Sequence, residues 1–381
     1  MSSASTVFRP VSDAVYDAAI AGLPYPHRAA VAWDDYAELL PERELWQGTR
    51  WGYYPDGGSD APAAVLTLRQ FHIHKMPFLW ADGSPVWTAG DPTSAQEQAL
   101  VDALRVHVMD TDASQAFIRL AVLHHEGITG VVPTCQQLYA HDSTVVIDLS
   151  GDEEAFRSRM KPRGRRDVNR SLRRSKVVVT EETGIDRAGF GEVVGVMHET
   201  ADRQGFHDHD ADYYWTFFTH FRDRGMARLW VGRVDGEPVN WGLAIIRGSF
   251  ATWEVAASNG QGRHEHGPDV TLYKALTDMQ ADGVTVCDLA AIGSDYNPKL
   301  MGLNEFKTKW SKETVRVGAP MEIVLKPARY RLLNWLAERR TGEPGMPSVL
   351  KEEAARRAAE AARPSEPSAG RGSSEGAGAQ R

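Results

Sequence analysis

Residues 144–180 read TVVIDLSGDEEAFRSRMKPRGRRDVNRSLRRSKVVVT, and this stretch sets the fold class. It opens on an apolar, β-branched run, Thr144–Leu149, which predicts a strand. SGDEEAF then has the spacing of a helix start. Ser150 is the expected N-cap, and Glu153 completes a capping box. A basic stretch continues as helix, with Gly164 as the expected break, and Val177–Thr180 returns to strand. Such alternation belongs to an α/β or α+β fold.

The basic stretch, Arg157–Lys176, holds ten Lys or Arg and one acid, Asp167, for a net charge of +9. The whole chain carries −8, so the remainder carries −17. Charge gathered this way points to a local polyanion site, with phosphate the usual partner. A solvated, salt-exposed helix is the plainer alternative. The acidic remainder argues against a broad nucleic-acid footprint and against DNA binding.

A length of 381 residues suggests two domains, and 42% hydrophobic with 25% charged residues is ordinary globular composition. Only two cysteines occur, Cys135 and Cys287, far apart in sequence. That spacing argues against a disulfide framework and suits a reducing cytosol, so a cytoplasmic location is expected. No apolar run reaches bilayer-spanning length, and MSSASTVFRPVSDAV lacks the basic and apolar segments of a signal peptide. Residues 349–381 read as a helical extension followed by a Gly/Ser/Ala/Pro-rich disordered tail.

Elsewhere the pattern predicts strands at Ala64–Ile73, Ala116–Leu123, Arg228–Val234, Val239–Ile246, Phe250–Ala256 and Val284–Leu289. Helices are expected over Asp91–Val108, Asp186–Gln204, Ala211–Arg224, Pro268–Gln280 and Tyr330–Glu338. Asp235-Gly236 is a hairpin signal. From Thr144 onward this order resembles the GNAT acyltransferase fold. Residues 1–143 show a looser version of it, so a duplicated domain is expected, with 144–318 as the second copy and 319–348 returning to the first.

Three segments of the second copy carry chemistry: the basic stretch, MHETADRQGFHDHDADYY (Met197–Tyr214) and GLNEFKTKW (Gly302–Trp310). Together they resemble the FemABX family, aminoacyl-tRNA-dependent peptidyltransferases that build peptidoglycan cross-bridges. The resemblance rests on Lys161 and Arg165 after a strand ending Asp-Leu. It also rests on Glu199, Thr200, Arg203, Gly205, Phe206, Tyr213 and Tyr214, and on Gly302, Leu303, Phe306 and Lys307. It covers about residues 144–318 and is loose before that. It implies two GNAT-like domains, here without the charged coiled-coil arm of some members.

The resemblance implies attack by a primary amine on the ester joining an amino acid to tRNA. The acceptor would be a peptidoglycan precursor or an amine-bearing natural product, as in antibiotic biosynthesis. No cofactor is implied beyond aminoacyl-tRNA as co-substrate. Lys307 would stabilise the oxyanion and Phe306 would shape the pocket. Arg203, Thr200, Tyr213, Tyr214, Arg165 and Lys161 would contact substrate, and Arg170, Arg173 and Arg174 would contact tRNA. An alkyl amine is only about one part in a thousand neutral at pH 7, so the site must help remove a proton. A fixed cation at the oxyanion is worth about 3 kcal/mol.

Plainer readings stand beside these. Arg165 also suits a helix-bracing role, and Arg203 a surface ion pair. Tyr213 and Tyr214, adjacent on a helix, cannot both face one pocket. The pairs His72/His74, His207/His209 and His264/His266 lack a third ligand at metal spacing, so no metal is expected. Gly260–Gly267, GQGRHEHG, loosely resembles a coenzyme A pyrophosphate loop, and FKTKW also fits acyl-CoA-dependent relatives. A GNAT-type N-acyltransferase using acetyl-CoA is therefore the alternative enzyme, and a non-catalytic nucleic-acid binder the third reading.

Overall fold

The computed structural model describes residues 7–341, apart from 24, 41–42, 58–59, 74, 122, 135–140, 206–207 and 318–319. Phe206, His74, His207, Cys135 and the 349–381 segment lie outside the described residues. The first half runs β1 (Phe8–Val11), α1 (Asp13–Ile20), α2 (Val31–Glu38), β2 (Glu44–Leu45), β3 (Arg50–Tyr53), β4 (Ala64–Leu66), β5 (Arg69–Ile73), β6 (Met76–Ala81), β7 (Val86–Trp87), α3 (Ser94–Thr111), β8 (Phe117–Leu120) and β9 (Val131–Pro133). The expected strand Ala64–Ile73 is thus two strands in different sheets. Leu68, fully buried, and Thr67, whose N–H is held by the Ser84 hydroxyl at 3.3 Å, mark the crossing.

The second half runs β10 (Ser143–Asp148), α4 (Glu153–Arg159), α5 (Pro162–Arg174), β11 (Val178–Glu181), α6 (Arg187–Gln204), α7 (Ala211–Arg222), β12 (Ala227–Val234), β13 (Glu237–Arg247), β14 (Phe250–Ser258), α8 (Gly260–His264), α9 (Gly267–Ala281), β15 (Val286–Ala291), α10 (Asn304–Lys307) and β16 (Val315–Arg316). The chain then adds β17 (Met321–Val324) and α11 (Pro327–Thr341).

Two local expectations are corrected. Asp152, not Ser150, caps α4, its carboxylate accepting from the Ala155 N–H at 2.8 Å. Ser150 instead gives its N–H and hydroxyl to the Asp148 carboxylate, at 2.9 and 2.6 Å. The basic helix breaks at Met160–Lys161 rather than at Gly164. Pro162 opens α5, where a missing N–H costs nothing, and the residue before it, Lys161, is extended (φ −60°, ψ 146°).

The seven-stranded sheet, β11-β12-β13-β14-β15-β10-β16, contains only strands from 143–316. The others are four-stranded, β1-β3-β4-β7, and six-stranded, β2-β5-β6-β8-β17-β9. β5-β6-β8-β17 and β13-β14-β15-β10 share one pattern of pairing: antiparallel, parallel, antiparallel. In each, one long helix, α3 or α9, makes the crossover between the parallel strands. The two halves therefore share this part of their topology. β17, late in the chain, fills in the first sheet the place β10 fills in the second. The hairpin β12–β13 turns on Asp235 and Gly236, both at positive φ (51° and 91°), as a type I′ turn requires.

One face of the seven-stranded sheet packs on α5 and α9 through Val168, Leu272, Leu276 and Met279. The other packs on α6 and α7, and the first half enters that core: Trp33 stacks on Phe221 (6.1 Å) and Tyr36 meets Phe217 edge-on (5.1 Å). Large aromatic rings buried at this seam fix the two halves together. The longest helices, α3 and α6, have 18 residues. Among the described residues no helix is long and apolar enough to cross a membrane.

Candidate active site

Lys307 ends α10, which follows a 3-10 helix over Pro298–Leu303, and this segment is tightly held. The Asn304 side chain accepts from the Gly293 N–H at 2.7 Å and donates to the Gly293 carbonyl at 2.8 Å. A Cβ on Gly293 would lie 2.2 Å from the Met301 nitrogen, so only glycine permits this approach. So anchored, Lys307 turns inward and its Nζ donates to the Ala291 carbonyl at 2.8 Å, at the end of β15. Just before, Ala290 sits at φ +60°, a left-handed conformation uncommon for a residue with a side chain. The Asp288 carboxylate holds it by accepting the Ala290 N–H at 2.7 Å, and also accepts the Thr144 hydroxyl from β10.

Burial pulls the Lys307 ammonium down from its ordinary 10.5 to about 8, while Asp288 and Glu254 oppose that shift. The amine therefore stays mainly charged at neutral pH despite its burial. Burial raises the Asp288 carboxyl, with Thr144, Ala290 and the Lys307 charge acting the other way.

Glu254 comes from β14, and its partners come from the first half. Arg28 Nη2 donates to Glu254 at 2.6 Å, and His27 Nε2 lies 3.6 Å from it. Burial lowers His27 to about 4, so it is neutral near pH 7. Burial disfavours the Glu254 charge, but the Arg28 charge and its hydrogen bond outweigh it and hold the carboxyl below its usual range. Arg28 also faces Asp82 (3.6 Å) and lies over the Trp33 ring (4.5 Å), while Trp33 Nε1 donates to Asp82 at 3.0 Å. Gly83, at φ +73°, lets the chain pass within 2.5 Å (from a notional Cβ) of the Arg28 carbonyl. A polar constellation thus crosses the seam between the halves, with Lys307 on one side and Arg28 on the other.

The other expected residues divide around it. Tyr213 is half-buried, stacked on His209 (3.8 Å), and lies near both Arg28 and Tyr36. Tyr214 is buried and donates to Asp208 at 2.7 Å. Thr200 is 5% exposed; its hydroxyl donates to the Val196 and Ser258 carbonyls (2.8 and 3.1 Å) and accepts the Ser258 N–H (3.1 Å). Its contacts fasten α6 to the end of β14 and leave it no open face for substrate. Arg203 donates to the same Ser258 carbonyl at 2.9 Å, with the rest of its side chain toward solvent. Arg165 spans the carbonyls of Arg157, Ser158 and Met160 (3.5, 3.2 and 3.4 Å), closing the C-terminus of α4 in the bracing role.

The basic helix reaches this site through its glycine. Gly164 is buried, and a Cβ there would lie 2.1 Å from the Lys309 carbonyl. The Lys161 N–H donates to that carbonyl at 3.2 Å. α5 therefore lies directly on the Phe306–Trp310 segment. Beside the contact opens a polar cleft of about 430 Å³, bounded by Arg163, Arg170, Asp269, Phe306 and Lys309. Lys309 Nζ pairs with Asp269 at 2.6 Å and lies 5.1 Å over the Phe306 ring. Several of the ten cations are matched locally: Arg159 by Asp148, Arg163 by Glu305 and Asp167, Arg170 by Asp167. Arg166, Arg173 and Arg174 are exposed and have no acidic partner among the described residues.

Two of the three glycines of Gly260–Gly267 have a packing role. A Cβ on Gly262 would meet the Val239 carbonyl at 2.3 Å, and one on Gly267 the Asn240 side chain at 2.3 Å. Close approach to β13 accounts for both without a pyrophosphate.

Sequence reasoning missed Arg28, Asp82, Glu254 and Asp288. Glu254 in FATWEVAAS and Asp288 in VCDLAA left a signal, since a lone acid inside an apolar strand is a buried charge needing a partner. Arg28, in a short connection between helices, left none.

The FemAB family model matches residues 91–237, a span that includes α5, Arg203, Tyr213 and Tyr214 and ends before Phe306 and Lys307. No curated protein matches the sequence. Among solved structures, the crystal structure of FemX matches with a TM-score of 0.67 at 15% identity, covering 85% of this chain and 99% of that one. A tandem GNAT protein from the clavulanic acid biosynthesis pathway gives 0.49 at 12% identity, covering 84% and 98%. The C-terminal domain of a putative lysylphosphatidylglycerol synthetase from Agrobacterium fabrum also gives 0.49 at 12%, covering 84% and 95%. Over residues 91–237 the chain is similar to the FemAB family, and over most of its length its fold is that of FemX.

Proposed function

We propose that this protein is an aminoacyltransferase that moves an amino acid from tRNA to a primary amine, on a peptidoglycan precursor or an amine-bearing small molecule. The observation that carries the reading is Lys307: a half-buried lysine whose ammonium is fixed by the Ala291 carbonyl at 2.8 Å, at the seam where both halves contribute charged groups. The FemAB match and the FemX fold support it.

The neutral acceptor amine attacks the ester carbonyl, and the carbonyl electrons move to oxygen. Lys307 faces that oxygen and stabilises the charge as it forms. Collapse of the tetrahedral species re-forms the carbonyl and expels the ribose oxygen, which takes up the proton the amine has lost. The amide bond replaces the ester bond, and no redox partner is needed. Arg173 and Arg174, exposed and unmatched, would meet tRNA phosphates, with Arg170 at the rim of the adjoining cleft.

The test is transfer from charged tRNA to candidate amines, with RNase-treated and acyl-CoA-supplied controls. Transfer abolished by RNase supports the reading. Transfer that survives RNase and requires acyl-CoA replaces it with the N-acyltransferase alternative.

A further inference from the structure

Helix α11 has two apolar faces. Tyr330 and Leu333 are buried against Phe78 and Phe117 of the six-stranded sheet. Roughly opposite them around the helix, Leu332, Trp335, Leu336 and Arg339 follow the i, i+3, i+4, i+7 spacing of one stripe. Leu332 is 48% and Trp335 46% exposed, where a helix lying on a sheet ordinarily turns polar side chains to water. The Arg339 guanidinium lies 4.1 Å over the Trp335 ring. Between Lys326 and Arg340 the sequence holds five cations and one acid, Glu338, in a chain of net charge −8.

An outward Trp/Leu stripe flanked by arginines has the chemistry of a helix lying in a membrane interface. The ring and leucines enter the acyl boundary while the guanidinium groups meet lipid phosphates. We infer that α11 docks the protein on the surface of an anionic phospholipid bilayer. The charge distribution selects this occupant over two others. Residues 342–381 hold six acids and six bases, so they offer no net attraction to a basic helix. A second copy meeting this face about a two-fold axis would set one basic stripe against another. The acidic remainder of the chain is repelled by the same bilayer, which orients the protein with α11 toward it. The inference goes beyond the transferase reading and stands without it.

The experiment is co-sedimentation of the full chain with vesicles of phosphatidylcholine containing about one-third phosphatidylglycerol, and with phosphatidylcholine alone, at low and high salt. The expected result is binding to the anionic vesicles only, weakened by salt. Arg331→Gln with Arg339→Gln should weaken it about thirtyfold, at about 1 kcal/mol per charge. Leu332→Ser with Trp335→Ser should weaken it about tenfold or more while leaving thermal unfolding unchanged. Absence of binding to anionic vesicles, or binding that neither pair weakens, overturns the inference. So does a change in the sedimentation coefficient of the lipid-free protein on Leu332→Ser with Trp335→Ser, which would show that the stripe is already covered.

Discussion

Lys307 and the arginines at the end of α5 carry the same formal charge in opposite surroundings. The Lys307 ammonium is largely withdrawn from water, pinned to one carbonyl and bracketed by Asp288 and Glu254. Arg173 and Arg174 stand in solvent with no acid to hold them among the described residues. In water a unit charge at contact distance is worth about 1 kcal/mol, and several times more in a partly dry site. A buried cation can therefore stabilise one developing negative charge at one place. Exposed cations can only gather a flexible polyanion, with an effect that salt erases. Under the proposed function, dense charge in the sequence marks the gathering surface, and the chemistry falls to a lone lysine outside it.

The largest expected effect follows from removing the half-buried Lys307 charge. Lys307→Met should lower kcat by about two orders of magnitude with little change in KM for tRNA, read from steady-state transfer. An equal rise in KM alone would move Lys307 to the gathering side of the comparison. Next is the joint between the two regions. Gly164→Ala puts a methyl group against the Lys309 carbonyl, and neither backbone can yield cheaply. Urea unfolding should show a drop of about 1–3 kcal/mol, and transfer should fall as α5 lifts from the Phe306 segment.

Glu254→Gln separates the two halves' contributions. Arg28 and His27 are left without their charged partner, which should cost about 1–2 kcal/mol in denaturant unfolding. The change also removes one of the two carboxylates that favour the Lys307 ammonium. Because Lys307 titrates near 8, below its ordinary 10.5, the ammonium is present below that pH and disappears as pH rises through it. The alkaline limb of the kcat profile should lie near pH 8 in the parent and move to lower pH in Glu254→Gln. A limb that stays in place would show that Glu254 only holds the halves together. The smallest effect belongs to the surface. Arg173→Gln with Arg174→Gln should leave kcat unchanged and make the salt dependence of tRNA binding shallower, by about one log–log unit for each phosphate no longer neutralised.

How far the sequence exposed this arrangement depends on how local each cause was. Helices α6 and α9 lie within a residue of their expected bounds, because apolar periodicity and caps such as Asp186 are local signals. The misplaced cap at Ser150 came from two acceptors competing within three residues, and Asp152 prevailed because Ser150 was already bound to Asp148. Gly164 read as a helix break because its actual partner, the Lys309 carbonyl, is far along the chain. Distance hid the seam in the same way. Arg28 and Glu254 are 226 residues apart, and no periodicity links a short turn to a strand in another sheet. Lys307 was legible only through its motif; its burial and its carboxylate neighbours were not.

The division between buried and exposed cations is tested most directly by one salt series of aminoacyl transfer from charged tRNA. The series compares the parent, Lys307→Met, and Arg173→Gln with Arg174→Gln. The account predicts that Lys307→Met lowers kcat at every salt concentration and keeps the parental salt slope of kcat/KM. It predicts that the arginine pair keeps kcat and flattens the slope. Near-parental kcat in Lys307→Met, or a flattened slope in that variant and not in the arginine pair, would contradict it.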